Sequence, residues 1–202
     1  MVKSGEMFMQ YGIRSVSMDD IANTLGMSKK TVYQYYADKD ELVHAVIESH
    51  TQRIQVDCMK CTEMSKDAVH ELFITIDQVM EEFSNMNPML LHDLKKFHFR
   101  AYEVFTQYKN RFLATMIRDN IERGIREELY RPDLNVDVLT RFRLESMMIP
   151  FDVHLFPPGK YALASTTAII MELFIYGLVT LKGHKQIQKY NQLRGGNLLM
   201  NQ

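Results

Sequence analysis

The chain has 202 residues, 46% of them hydrophobic and 24% charged, with a formal net charge of −1. These values exclude a disordered chain, a collagen-like repeat and a protein coated in positive charge, and leave room for one or two domains and a local basic patch. Fifteen methionines and no tryptophan point to a soft, adaptable interior. At the start, Met1 to Gln10 carries Lys3 and Glu6 and lacks the apolar core of a signal peptide, so the expected location is the cytoplasm. From Gly12 to Val46 the pattern predicts three short helices. Ser17 is an N-cap, with Asp20 placed to complete a variant capping box, and Ile21, Ala22 and Leu25 give a buried face. Gly26 ends that helix, with Met27 expected as an apolar plug in the turn. Ser28 caps the next helix, Lys29 to Tyr36, and Asp38 caps a third. Two short helices joined by a glycine-containing turn make a helix-turn-helix pattern.

The second helix of this pair has the chemistry to read DNA. Lys29 and Lys30 stand at the end expected to enter the major groove, where a lysine pairs with phosphate or with guanine O6 and N7. Thr31 offers a hydroxyl and a methyl, and Gln34 suits a bidentate contact with adenine. Tyr33 and Tyr35 can donate to phosphate oxygens. Val32 and Tyr36, four apart, are expected to face inward. Lys39, at the start of the third helix, is within reach of a backbone phosphate.

The run Ser17-Met18-Asp19-Asp20-Ile21-Ala22, then Leu25-Gly26-Met27-Ser28-Lys29-Lys30-Thr31-Val32-Tyr33-Gln34-Tyr35-Tyr36-Ala37-Asp38-Lys39-Asp40-Glu41-Leu42, resembles the DNA-binding domain of tetracycline-repressor-type (TetR family) regulators. The resemblance covers about residues 8 to 50 and is only architectural beyond them. It implies an all-α protein: a three-helix DNA-binding domain over 1–46 and a helical effector-binding and dimerisation domain over 47–202. It also implies a homodimeric repressor that a small molecule releases from a palindromic double-stranded operator. By the same resemblance Thr31, Tyr33 and Lys39 are phosphate contacts and Ser17 anchors the front of the motif. Lys29, Lys30 and Gln34 are the base readers, and Ser28 and Tyr35 complete the expected DNA-facing set. Tyr35 departs from the histidine often found there, and the first helix looks cut short at its front.

Further along, Cys58 and Cys61 are the only cysteines. Their Cys-x-x-Cys spacing lacks partner ligands at zinc-site distances, and they read as two reduced thiols on one helix. Val69, Leu72, Phe73, Ile76, Val79, Met80 and Phe83 form one apolar helical stripe that Asn87-Pro88 ends. A long helix is predicted from about Ala101 to Glu128, another from Val136 to Ile149, and a last one from Tyr161 to Leu181 with a stop at Gly183. That makes about nine helices. No apolar run reaches the roughly 18 residues of a membrane span, the longest, Ala168 to Leu181, being broken by Glu172 and Tyr176. Beyond Glu172 the charges are Lys182, Lys185, Lys189 and Arg194, and the chain from Gly195-Gly196 on reads as flexible.

Candidate pocket residues on the central helices are Phe97, His98, Tyr102, Phe105, Tyr108, Phe142, Glu145 and Met148, weighed against plain core packing. Glu145 is expected in a simple salt bridge with Arg141 or Arg143. The last helix is apolar on much of its girth. Met171, Phe174, Gly177, Leu178 and Leu181 are therefore expected at a dimer contact that, with residues 136–149, forms a four-helix interface. Two other readings stand beside the regulator: a helix-turn-helix adaptor that binds protein without an effector, and a helical enzyme. The enzyme lacks a second Glu-x-x-His, a phosphate loop and a nucleophile elbow, and no catalytic residue, cofactor or metal is expected.

Overall fold

The computed structural model describes residues 1–193, and all its regular elements are helices. In order they are α1 (Val2–Tyr11), α2 (Met18–Thr24), α3 (Lys29–Tyr35), α4 (Lys39–Met64), α5 (Ala68–Phe83), α6 (Leu90–Phe97), α7 (Phe99–Gln107), a π-helical segment (Tyr108–Leu113), α8 (Ala114–Arg126), α9 (Val136–Ser146), a 3-10 turn (Ile149–Phe151), α10 (Leu163–Leu178) and α11 (Leu181–Leu193). The run from α7 through the π segment to α8 is unbroken. Arg194 and Gly195-Gly196 lie outside the described residues.

The first helices end where the local chemistry tells them to. Ser17 Oγ accepts from the Asp20 N–H at 3.1 Å, and the Asp20 carboxylate accepts from the Ser17 N–H at 2.8 Å, closing the capping box at the head of α2. Gly26 takes φ +64 at the other end. The Met27 N–H then reaches back to Ala22 O at 2.9 Å and the Gly26 N–H to Asn23 O at 3.1 Å, a Schellman closure that a Cβ would strain. Ser28, Asp38 and Asp67 cap α3, α4 and α5 by accepting from the N–H groups of Thr31, Glu41 and His70. Met27 is 47% exposed, so it is no plug; the half-buried Leu25 packs against the core instead.

Two apolar cores hold the helices together. The first joins Phe8, Ile21, Val32, Leu42 and Val46 of α1–α4 to Leu90 and Leu94 of α6 and Ala101 of α7. The second joins Val69, Phe73 and Ile76 of α5 to Ile121 of α8, Ile175 of α10 and Ile187 of α11. Residue 46, the expected domain boundary, falls inside α4, which runs as one helix from Lys39 to Met64. The Asn87 N–H donates to Met9 O at 2.7 Å, and Asp93 Oδ2 accepts from the Arg14 N–H at 3.1 Å.

The last long helix differs from its expected course. It breaks at Val179-Thr180 because residues 128–131 cross there and take its hydrogen bonds. The Arg131 N–H donates to Leu178 O and the Thr180 N–H to Leu129 O, both at 2.9 Å, around a lone β-bridge between Tyr130 and Val179. Gly183 is not a stop. It sits inside α11, where a Cβ would lie 2.1 Å from the Leu129 carbonyl oxygen.

Candidate nucleic-acid interface and apolar chamber

On α3 the residues divide by face. Val32 is buried and Tyr36 half-buried against the first core, as their spacing predicts. Lys29, Lys30, Tyr33, Gln34 and Tyr35 are exposed, Tyr35 most of all at 72%. Lys29 Nζ meets Asp19 Oδ1 at 2.8 Å across the turn, and the hydrogen bond to Asp19 holds its pKa above the ordinary value. Thr31 is half-buried, with its hydroxyl 2.8 Å from that of Ser28. These groups form one polar, cationic face with two phenols.

Two members of the expected set are committed elsewhere. Ser17 Oγ donates to the Asp20 carboxylate at 2.6 Å while accepting from the Asp20 N–H, so its hydroxyl serves the cap. Lys39 Nζ donates to Ile13 O at 2.6 Å, and partial burial pulls its pKa below the usual lysine range against the opposing pull of Asp93 and Asp20. It braces the loop before α2 rather than reaching outward.

Beneath this domain lies an apolar chamber of about 160 Å³. Its walls come from α4 (Ile47, Thr51, Ile54, Cys58), α5 (Thr75, Val79, Phe83), α6 (Leu90, Leu91, Leu94), Phe105 of α7, and Tyr108 and Leu113 of the π segment; Met147, Met148 and Phe151 close it. The π segment is the kind of bulge that re-aims wall side chains at functional sites. Burial pushes the Cys58 thiol up to about 11 and the Tyr108 phenol well above its ordinary value, so both groups stay neutral at the wall. His50 Nε2 and Glu82 Oε1 meet at 3.1 Å on the rim. A second chamber of about 80 Å³ adjoins the first, sharing Cys58, Thr75, Leu113 and Met147 as walls, and Arg143, Glu71 and Asn120 face it.

Of the eight expected pocket residues, Phe105, Tyr108 and Met148 line the chamber. Phe97 is 47% exposed, with Arg14 and Lys96 against its ring. His98 Nδ1 hydrogen-bonds Asp40 Oδ1 at 2.8 Å, tying the α6–α7 corner to the head of α4, and Tyr102 packs on the first core. Phe142 is exposed, and the exposed Glu145 pairs with Lys109 at 2.8 Å rather than with either neighbouring arginine. The walls from α4 and α6 escaped the sequence reading. Arg143 entered it only as a partner for Glu145, although Val136, Thr140, Arg143 and Leu144 share one helical face and the last three are buried.

The expected dimer residues split as well. Met171, Phe174 and Leu178 are buried in this chain's own second core, because α10 turns them toward α5, and only Gly177 and Leu181 remain exposed. The outward stripe of α10 is Ile169, Leu173 and Tyr176, at spacings of four and three; on α9, Val138 and Phe142 are also exposed, and Phe142 stacks on Phe174 of α10.

Residues 4–46 match the family model described as bacterial regulatory proteins, tetR family. An uncharacterized HTH-type transcriptional regulator, YvaF of Bacillus subtilis, is 37% identical over 92 residues, a match covering 44% of this chain and about half (47%) of that relative. The HTH-type transcriptional repressor KstR2 of Mycobacterium tuberculosis is 22% identical over 180 residues, covering 88% of this chain and 89% of the relative. The solved structure of that ketosteroid regulator overlays with a TM-score of 0.63 at 18% identity, over 88% of this chain and 91% of the other. FadR of Bacillus subtilis, solved in complex with stearoyl-CoA, gives 0.63 at 13% identity over 86% and 95%. Residues 4–46 thus match a tetR-type helix-turn-helix, and the described chain shares the overall fold of these solved regulators.

Proposed function

We propose that this chain is a ligand-responsive transcriptional repressor, acting as a cytoplasmic homodimer on a palindromic operator and not as an enzyme. Residues 1–46 read DNA through Lys29, Lys30, Tyr33, Gln34 and Tyr35; residues 47–202 bind the effector and the partner copy. One observation carries the reading: the chamber and the DNA-binding domain share their supports. Ile47, Leu90 and Leu94 belong to the first core and also wall the chamber, and Met9 of α1 does both as well. A ligand larger than the chamber presses on α4 and α6, whose Ile47, Leu90 and Leu94 share the first core with Val32 of the recognition helix. Ligand occupancy then favours conformations in which the two recognition helices no longer match successive major grooves, about 34 Å apart. The outward stripe of Ile169, Leu173 and Tyr176 with Val138 and Phe142 supplies the apolar surface for a second copy.

The test is binding to the region upstream of the chain's own gene across a salt series. The chain is expected to bind as a species of twice the monomer mass, saturably, with affinity falling steeply as salt rises. Replacing Lys29, Lys30 and Gln34 together with alanine is expected to weaken operator binding at least about 100-fold, close to 3 kcal/mol, without changing dimer mass or melting temperature. Retention of sequence preference by that triple variant overturns the reading. Dimers that bind no DNA sequence favour a protein-binding adaptor.

A further inference from the structure

Arg143 is the anomaly among the charged side chains. It is 6% exposed, lies on the buried face of α9, and sets its guanidinium against the Phe174 ring, 5.3 Å from its centroid. Among the described residues no carboxylate stands within ion-pair distance of it, and its side chain makes no hydrogen bond. Burial pulls its pKa down to about 10, which still leaves it charged at neutral pH. A guanidinium offers five donors, and its burial without an anion is costly.

The other polar groups around the small chamber have their partners. Glu71 accepts from Arg123 at 3.0 Å and from Thr62 at 3.2 Å. Asn120 donates to Ala68 O at 3.0 Å and accepts from the Tyr130 hydroxyl at 3.1 Å. Thr75 donates to Glu71 O at 2.8 Å. Of the two charged side chains on this wall, Glu71 is paired and Arg143 faces the chamber with its donors unused, one shared wall away from the larger apolar chamber. Met147 in that wall is the kind of side chain that gives way.

We propose that the two chambers form one site for an amphipathic monocarboxylate, with its hydrocarbon body in the larger chamber and its carboxylate on Arg143. The single cation sets the charge of the head at one. About 80 Å³ around it admits a carboxylate and excludes a nucleotide-bearing thioester. A carboxylate matches the planar fork of the guanidinium, and in a dry site the ion pair is strong. The body is a hydrocarbon, because the larger chamber presents almost wholly apolar walls. This assignment rests on the ligand-responsive reading for its biological use, but the site itself is measured without DNA.

The experiment uses the full chain and three matched pairs: octanoate with 1-octanol, decanoate with 1-decanol, and dodecanoate with 1-dodecanol, followed by calorimetry and by melting temperature at pH 7.5. At least one carboxylate is expected to bind saturably and at least tenfold tighter than its alcohol. Arg143→Met is expected to weaken that carboxylate tenfold or more and to leave the alcohol within about threefold, with Arg143→Lys between the two. Equal affinity for acid and alcohol overturns the proposal, as does failure of all three acids to bind. Both comparisons are made on the unaltered chain, so a variant that does not fold leaves the proposal falsifiable. A carboxylate that binds through Arg143 without weakening operator binding upholds the site and removes the regulatory reading.

Discussion

In the helix-turn-helix every structural instruction comes from within a few residues. Ser17 and Asp20 close one end of α2, Gly26 and Ala22 the other, and Ser28 opens α3. At the junction of α10 and α11 the instructions come from about fifty residues away. Leu178 and Thr180 find their partners on Leu129 and Arg131, Thr180 Oγ1 donates to Glu128 O at 2.8 Å, and α11 lies so close to Leu129 that only glycine fits at 183. The first region is specified by side chains bonding their own backbone. The second is specified by close approach between distant segments, and it fails whenever one segment cannot yield.

That contrast fixes the largest expected effect. Gly183→Ala puts a methyl 2.1 Å from a backbone oxygen that is itself held by the Thr180 N–H. It is expected to cost about 3 kcal/mol in urea unfolding, the upper range of overpacking. Gly26→Ala meets open space and suffers only its φ of +64, so it is expected to cost about 1 kcal/mol. The reverse ranking breaks the comparison.

The same contrast governs what the sequence disclosed. The caps at Ser17, Ser28 and Asp38, the turn at Gly26 and the inward pair Val32 and Tyr36 were legible because each rests on neighbours three or four residues off. So was the outward face of α3 that carries Lys29, Lys30, Tyr33, Gln34 and Tyr35. The hydrogen bond from Lys39 to the Ile13 carbonyl was not legible, because that partner is 26 positions back. The chamber was only partly legible: Phe105, Tyr108 and Met148 stand among the candidates on the central helices, whereas Ile47, Leu90 and Leu94 look like any core residue in one dimension. Periodicity also places Met171, Phe174 and Leu178 on an apolar face, expected from the sequence at a dimer contact, whereas packing buries them in the chain's own second core. A helix that is greasy on two sides leaves that choice to tertiary packing.

Two N-caps sharpen the comparison at the next level. Ser17 with Asp20 is a local, fully exposed cap. Asp67 caps α5 through the His70 N–H at 2.8 Å and also accepts from the Tyr190 hydroxyl at 2.6 Å and Gln186 at 2.8 Å, both on α11. Burial acts to raise the Asp67 pKa, but the bonds from Tyr190, His70 N–H and Gln186 outweigh it and hold the carboxyl below its ordinary 3.8. A depressed folded pKa gives stability that is present above the unfolded value, near pH 4, and is lost as pH falls through the folded value. Asp67→Asn is expected to lose about 1 kcal/mol at pH 7, solvent screening included, and to show a shallower loss of stability than the parent below pH 4 in melting curves. Parallel acid limbs would show that the carboxylate does not clamp α11.

The smallest expected effect lies in the turn itself. Met27 is an apolar residue between two capped helices, the position where a plug belongs, yet it is 47% exposed while the adjoining Leu25 reaches the core. The turn is closed by backbone bonds from Met27 to Ala22 and Gly26 to Asn23, which need no particular side chain at 27. Met27→Ser is therefore expected to shift urea-unfolding stability by no more than about 0.5 kcal/mol, the range of an exposed substitution. Leu25→Ser, which strips a half-buried side chain from the first core, is expected to cost more than 1 kcal/mol. Equal losses at the two positions would mean that the turn relies on an apolar anchor as well as on its hydrogen bonds, and the helix-turn-helix would then be less locally specified than its caps imply.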